Sequence, residues 1–185
     1  MRNRALTLAL SIAAASPLAA QSWMGDMHRD VNEVQKKMVD LAKAIDRALG
    51  ELTDAIEAAQ ARVDVGELPS VHGDAAQLAR MMWHLIDNAL KFRGDHDGVR
   101  VTVSASAVGD GWEIRVADDG PGLTASERER VLGVLRRSAH DDIPGVGIGL
   151  AICRSIAERH GGSIVLEPAP DGGLAVVVTL PESGR

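Results

Sequence analysis

A chain of 185 residues with 45% hydrophobic content is long enough to bury one sizeable core beside a short helical appendage. Its formal net charge of −6 leaves no basic surplus for neutralising phosphate backbones, which argues against a nucleic acid partner. Six histidines and a lone Cys153 supply neither a disulfide framework nor a CxxC metal motif, and at 2% aromatic content the core must be built from Leu, Ile, Val, Met and Ala.

Residues 1–22 have the grammar of a signal peptide or short anchor. Arg2 and Arg4 precede an apolar run over 5–20 that ends in the small residues Ala19 and Ala20. The run is short and alanine-rich for a membrane span. Residues 23–61 read as a helical segment, with apolar side chains at Val31, Val34, Met38, Leu41, Ile45, Ala48, Leu52, Ala55 and Ala59 in alternating steps of three and four. This spacing predicts one long helix, or two interrupted near Gly50. Its seam needs a partner helix, as in a homodimer, or the face of the domain expected over 62–185.

A strand is expected at 62–65. GELPSVHGD then turns the chain, and Asp74 caps a helix running to about Phe92. Leu78, Met81, Met82, Leu85, Ala89 and Phe92 form its apolar face, while His84, Asn88 and Lys91 form a polar stripe on its flank. Asp87 points away from the apolar face and is expected to be solvated.

Alternating segments at 101–107 and 112–118, joined through Gly109-Asp110-Gly111, predict an antiparallel hairpin. Trp112, Ile114 and Val116 share a face, and Asp118 falls on the same inward parity. A carboxylate there needs a partner, whereas Asp119 takes the outward parity and needs none. A polar connection over 120–145 contains a short helix at 125–137. A helix at 150–160, closed by Gly161 and Gly162, then leads to a second hairpin at 164–166 and 174–180. The order helix, hairpin, helix, hairpin predicts an α+β fold: a two-layer α/β sandwich whose mixed or antiparallel sheet carries helices on one face.

The run Gly145-Val146-Gly147-Ile148-Gly149-Leu150 opens the second helix, so its backbone N–H groups can face phosphate oxygens. Taken alone it is weak, having neither a GK[ST] ending nor an immediately preceding strand. Asn88, Asp118 and the pair Gly120 and Gly122 precede it in order, and this combination is specific. The sequence resembles the catalytic, ATP-binding domain of sensor histidine kinases, in the ATPase superfamily shared with gyrase and Hsp90-like proteins. LPSVHGDAAQL, HLIDNALKFRG, VADDGPGL, GVGIGLAICRSIAERHGG and VTLP are most similar to the phytochrome-type kinases, and the resemblance spans roughly 39–180.

The resemblance implies the Bergerat-type fold and Mg²⁺-ATP as ligand. It makes Asn88 the Mg²⁺ ligand, Lys91 a phosphate contact and Asp118 the acceptor for the adenine amino group. Gly120 and Gly122 would let the backbone approach the base, and Gly145, Gly147, Gly149 and Leu150 would close over the phosphates. A neutral amide oxygen suits Mg²⁺, and a lysine supplies a compact charge beside it.

Three positions depart from the family pattern. His84 stands where these kinases usually carry Asn, and is expected to position, ligate or deprotonate. Leu132 and Leu135 replace the lid's phenylalanines, with Gly133 loosening that helix and Arg136 and Arg137 as possible phosphate contacts. No H-box is present. His28 is the only histidine in the upstream helical region, and His72, His96, His140 and His160 match no acceptor motif. The expected activity is therefore γ-phosphoryl transfer to a histidine outside this chain, on a histidine-containing phosphotransfer or dimerisation domain, and indirectly to a response regulator. The alternatives are a transfer-deficient nucleotide-binding module and an anti-sigma-factor-like serine kinase. Use of ATP implies a cytoplasmic domain with residues 5–20 as an anchor; a cleaved signal peptide is the competing reading.

Overall fold

The computed structural model describes residues 38–94, 98–137 and 148–182, without the side chains of 132–137 and 148. The expectations for residues 1–37, including His28, for His96 and His140, for Gly145 and Gly147, and for the side chains of Leu132, Leu135, Arg136 and Arg137 lie outside them. The described residues belong to one compact unit, Met38–Arg185. In chain order its elements are β1 (Met38–Asp40), α1 (Leu41–Glu51), α2 (Thr53–Ala58), β2 (Arg62–Val65), β3 (Ser70–His72), α3 (Ala75–Lys91), β4 (Arg100–Val108), β5 (Gly111–Asp118), α4 (Ala125–Arg137), α5 (Ile148–Arg159), β6 (Ser163–Pro168) and β7 (Leu174–Pro181).

Five strands form a mixed sheet in the order β2-β4-β5-β7-β6. Only the β2–β4 pairing is parallel, and both hairpins expected from the alternation are present. The period of two turns Val101, Val103, Ile114, Val116, Val178 and Leu180 to one face, where each is at most 2% exposed. The buried side of α3 packs on this face. Leu41, Ile45 and Ala48 from α1, and Cys153, Ile156 and Ala157 from α5, complete the same core. Cys153 is a packed thiol: burial pushes it up to about 12, and its S–H donates to the Met81 carbonyl.

The helical segment differs from expectation at its start. Met38–Asp40 is a strand, paired antiparallel with β3, a short strand inside the segment expected only to turn. Asp40 is the reason the helix waits until Leu41, because its side chain accepts the Ala42 N–H and caps α1. The interruption expected near Gly50 falls at Leu52, whose N–H is shared between the Ala48 and Leu49 carbonyls. The seam of Leu41, Ile45, Ala48 and Leu52 is spent on the sheet domain itself. The division expected at 61/62 is thus a change of secondary structure within one core.

α5 runs antiparallel to α3, and His160 ties their ends. Its Nε2 accepts the Asp74 N–H at 3.0 Å, and Nδ1 lies 2.7 Å from the Ile156 carbonyl. A backbone donor on Nε2 leaves Nδ1 as the protonated nitrogen. Asp74 in turn caps α3 by accepting the Ala76 and Gln77 N–H groups, which hold its carboxyl below the usual range. His160→Ala should therefore lower stability by about 1–2 kcal/mol, read as a depressed Tm in thermal unfolding.

Candidate functional site

The apolar side of α3, the ends of β5 and β7, and the loop after β5 enclose a cavity of about 290 Å³. Leu85, Ala89, Val116, Leu123, Leu150, Leu174 and Val176 supply apolar walls, and Asn88 and Asp118 are the polar side chains that line it. An apolar slot with few polar groups suits a small organic ligand, and this volume is at the low end for such sites.

Asp118 ends β5 on the inward parity, as expected. Its Oδ1 accepts the N–H of Gly120 at 3.0 Å and that of Leu174 at 3.2 Å, while Oδ2 has no hydrogen bond among the described residues. Burial raises the carboxyl's pKa, and the two N–H bonds oppose that shift. The loops around it leave no room for side chains. A Cβ on Gly173 (φ +76°) would meet the Asp118 backbone carbonyl, and one on Gly122 (φ +67°) would meet the Gly173 carbonyl. Asp119, expected to need no partner, accepts the Arg100 N–H at 2.8 Å and returns its own N–H to the Arg100 carbonyl. It extends the β4–β5 ladder past the last paired residues.

His84 and Asn88 meet the first turn of α5. A Cβ on Gly149 would lie 3.3 Å from His84 Nδ1 and 3.4 Å from both polar atoms of the Asn88 amide, so glycine lets the two helices close here. His84 Nε2 and Asn88 Nδ2 are buried without a hydrogen-bond partner among the described residues. Burial first, and the nearby Arg80 charge second, push the His84 pKa down and favour a neutral imidazole. The ring stands edge-on to Trp83, with centroids 5.0 Å apart.

Lys91 is on the expected flank but is already engaged: its Nζ lies 2.6 Å from Asp87 Oδ2. Asp87, expected to be solvated, is only 9% exposed. Helical parity locates a residue relative to its own helix and carries no information about what neighbouring segments cover.

A family model described as histidine kinase-, DNA gyrase B- and HSP90-like ATPase matches residues 73–184. The chain belongs to this family. The phytochrome-like protein Cph1 of Synechocystis is 33% identical over 153 residues, covering 82% of this chain and 20% of that protein. The signal transduction histidine-protein kinase/phosphatase MprB of Mycobacterium bovis is 36% identical over 160 residues, covering 82% of this chain and 31% of that protein. This chain therefore spans about a fifth of the length of the phytochrome-like relatives it matches. Among solved structures, the mycobacterial sensor histidine kinase MprB superposes with a TM-score of 0.65 at 29% identity, covering 80% of this chain and 99% of that one. The fold and the domain type follow: this is an ATP-binding catalytic domain of the two-component kinase type.

Within this kinase-family domain, the fold brings Asn88, Asp118, Gly122 and Leu150 to one cavity, and His84 and Gly149 to its edge beside Asn88. Gly120 donates to Asp118. No group of three or more His, Cys, Asp or Glu side chains converges as a metal cage among the described residues. The donor set nevertheless suits Mg²⁺, which takes few protein ligands and completes its shell with phosphate and water. An amide whose N–H lacks a partner can offer oxygen to the cation and N–H to a phosphate. Sequence reasoning missed Leu174, whose N–H clamps Asp118 from the neighbouring strand. The expected second hairpin held its only trace, because nothing in the sequence states which strand borders β5. Among the described residues, no helix is long and apolar enough to cross a membrane.

His84 predicts a pH dependence. A histidine whose folded pKa lies below its ordinary 6.5 stabilises the fold above that value and loses this contribution as pH falls through the folded pKa. Between pH 7 and pH 5 the wild type should therefore lose more stability than His84→Gln, as measured by denaturant unfolding at each pH.

Proposed function

We propose that the domain binds Mg²⁺-ATP with the base in the cavity, and that the γ-phosphoryl passes to a histidine on a histidine-containing phosphotransfer or dimerisation domain outside this chain. The observation that carries this reading is the pairing of Asp118 and Asn88 across one apolar slot. The slot accepts a flat aromatic base between Leu85, Ala89 and Val176, and Asp118 accepts its exocyclic N–H. Because Oδ1 is already held by two backbone N–H groups, the carboxylate is fixed before the ligand arrives.

When bound, Mg²⁺ supplies charge neutralisation on the phosphates. Asn88 offers it the amide oxygen, Lys91 brings a positive charge to the same flank, the opening turn of α5 at Gly149 presents backbone N–H groups to the phosphate oxygens, and Gly145 and Gly147 are assigned to the same phosphate-binding run. His84, neutral and set against Gly149, keeps the two helices in register beside Asn88 rather than taking a proton. The acceptor imidazole attacks the γ-phosphorus in line, the bond to the bridging oxygen breaks, and ADP leaves. The protein's share is positioning and charge. In the whole protein this reading implies a cytoplasmic domain anchored through residues 5–20, a homodimer, and a response regulator that receives the phosphoryl group indirectly.

Calorimetric titration with ATP tests the assignment. Asp118→Ala should weaken binding about 10–100-fold, the loss of a hydrogen bond to a charged group, and Asn88→Ala should remove the Mg²⁺ dependence. ATP binding by Asp118→Ala equal to that of wild type would falsify the adenine role. Labelled ATP with candidate histidine-containing domains then reads the chemistry. Acid-labile label supports transfer to histidine, acid-stable label points to a serine kinase, and no label with any domain points to a module that binds without transfer, the outcome favoured by a lid with Leu132 and Leu135 in place of phenylalanines.

A further inference from the structure

We infer that Asp87 is a positioning residue for Lys91, and that the two side chains meet the nucleotide phosphates as one unit; this rests on the reading of the cavity as an ATP site. Lys91 Nζ and Asp87 Oδ2 are 2.6 Å apart, one helical turn along α3. Their environments are unequal: the Asp87 side chain is 12% exposed and that of Lys91 is 64% exposed. Asp87 is also the only charged residue buried among the described residues.

That inequality decides what Lys91 does when a ligand arrives. A carboxylate withdrawn from water is tolerated only while a charge-assisted hydrogen bond compensates it, and removing its partner leaves an uncompensated buried charge. A lysine that swung away to a phosphate would gain an interaction in a mostly wet setting and abandon Asp87 in a drier one. The lower-energy course keeps the pair and brings the phosphate to it.

An ammonium group carries three N–H donors, so the bond to Asp87 leaves two for phosphate oxygens. The four-carbon stem of an untethered lysine samples many rotamers, and ordering it opposes binding. Here Asp87 orders it in advance. Asn88, which lines the cavity, lies three residues before Lys91 on α3, a spacing that makes the two neighbours on the helix surface, and the tether to Asp87 holds the ammonium on that turn. Asp87 partly cancels the charge of Lys91. What the pair contributes is direction, a donor aimed at phosphate, with no consequence for a ligand that has none.

The experiment compares ATP and adenosine binding by wild type, Asp87→Asn, Asp87→Glu, Lys91→Met and the double variant Asp87→Asn/Lys91→Met, using calorimetry for ATP and NMR titration for adenosine. Asp87→Asn and Lys91→Met should each weaken ATP about tenfold, the change that corresponds to 1.4 kcal/mol, while adenosine affinity stays within about twofold. The double variant should be no weaker than Lys91→Met alone, since both remove the same unit. Asp87→Glu, which keeps a carboxylate within reach of Nζ, should recover most of the ATP affinity. The inference is overturned if Asp87→Asn binds ATP as tightly as or more tightly than wild type, if the two losses add, or if adenosine affinity falls in parallel with ATP affinity, which would make Asp87 a structural residue only. Failure of wild type to bind either ligand overturns the nucleotide-site reading itself, and the inference with it.

Discussion

Leu78, Met81, Met82, Leu85 and Ile86 are all between 0% and 1% exposed, and together they fix the rotation of α3 about its own axis. Fully burying a large apolar side chain is worth about 1.5–3 kcal/mol, so turning the helix by one residue would exchange several such terms for buried polar groups. No single contact at the site carries comparable weight. Asn88 therefore borders the cavity because methionines and leucines elsewhere on the helix have nowhere else to go. The tether from Asp87 to Lys91 inherits its location from the same constraint.

The opposite wall is held by backbone. Asp118 is gripped by N–H groups from its own turn and from β7, and the glycines around it pack at distances no side chain permits. Burial works against its ionised form while the N–H bonds support it. Under the proposed reading, a carboxylate held in this way in an otherwise apolar slot is there to meet the amino group of the base.

Much of this was legible in the sequence because it depends on local periodicity. The alternation of 112–118 assigned Asp118 its face, the 3.6-residue period grouped His84, Asn88 and Lys91, and Asp74 announced the start of α3 through its capping chemistry. What escaped depends on neighbours distant in sequence. Its own helix alone predicts a solvated Asp87, yet the residue is buried in the folded unit. Met38 fitted a helical stripe until a strand partner, β3, and the cap at Asp40 claimed the residues around it. Asp119 looked idle because its donor, Arg100, begins the other strand of the hairpin. Leu174 contributes through a backbone N–H, which no side-chain pattern records.

The His160 bridge has a consequence beyond stability. α5 is fastened to α3 near both ends, at the α3 N-terminus by the imidazole and near its C-terminal half by the close approach of Gly149, with Cys153 against Met81 between them. Two helices joined at separated points cannot easily slide or roll past one another, so they form a stiff strut. Of the histidines in the described chain, His160 is the one whose two nitrogens are both committed to the backbone, and it serves as a rivet in that strut.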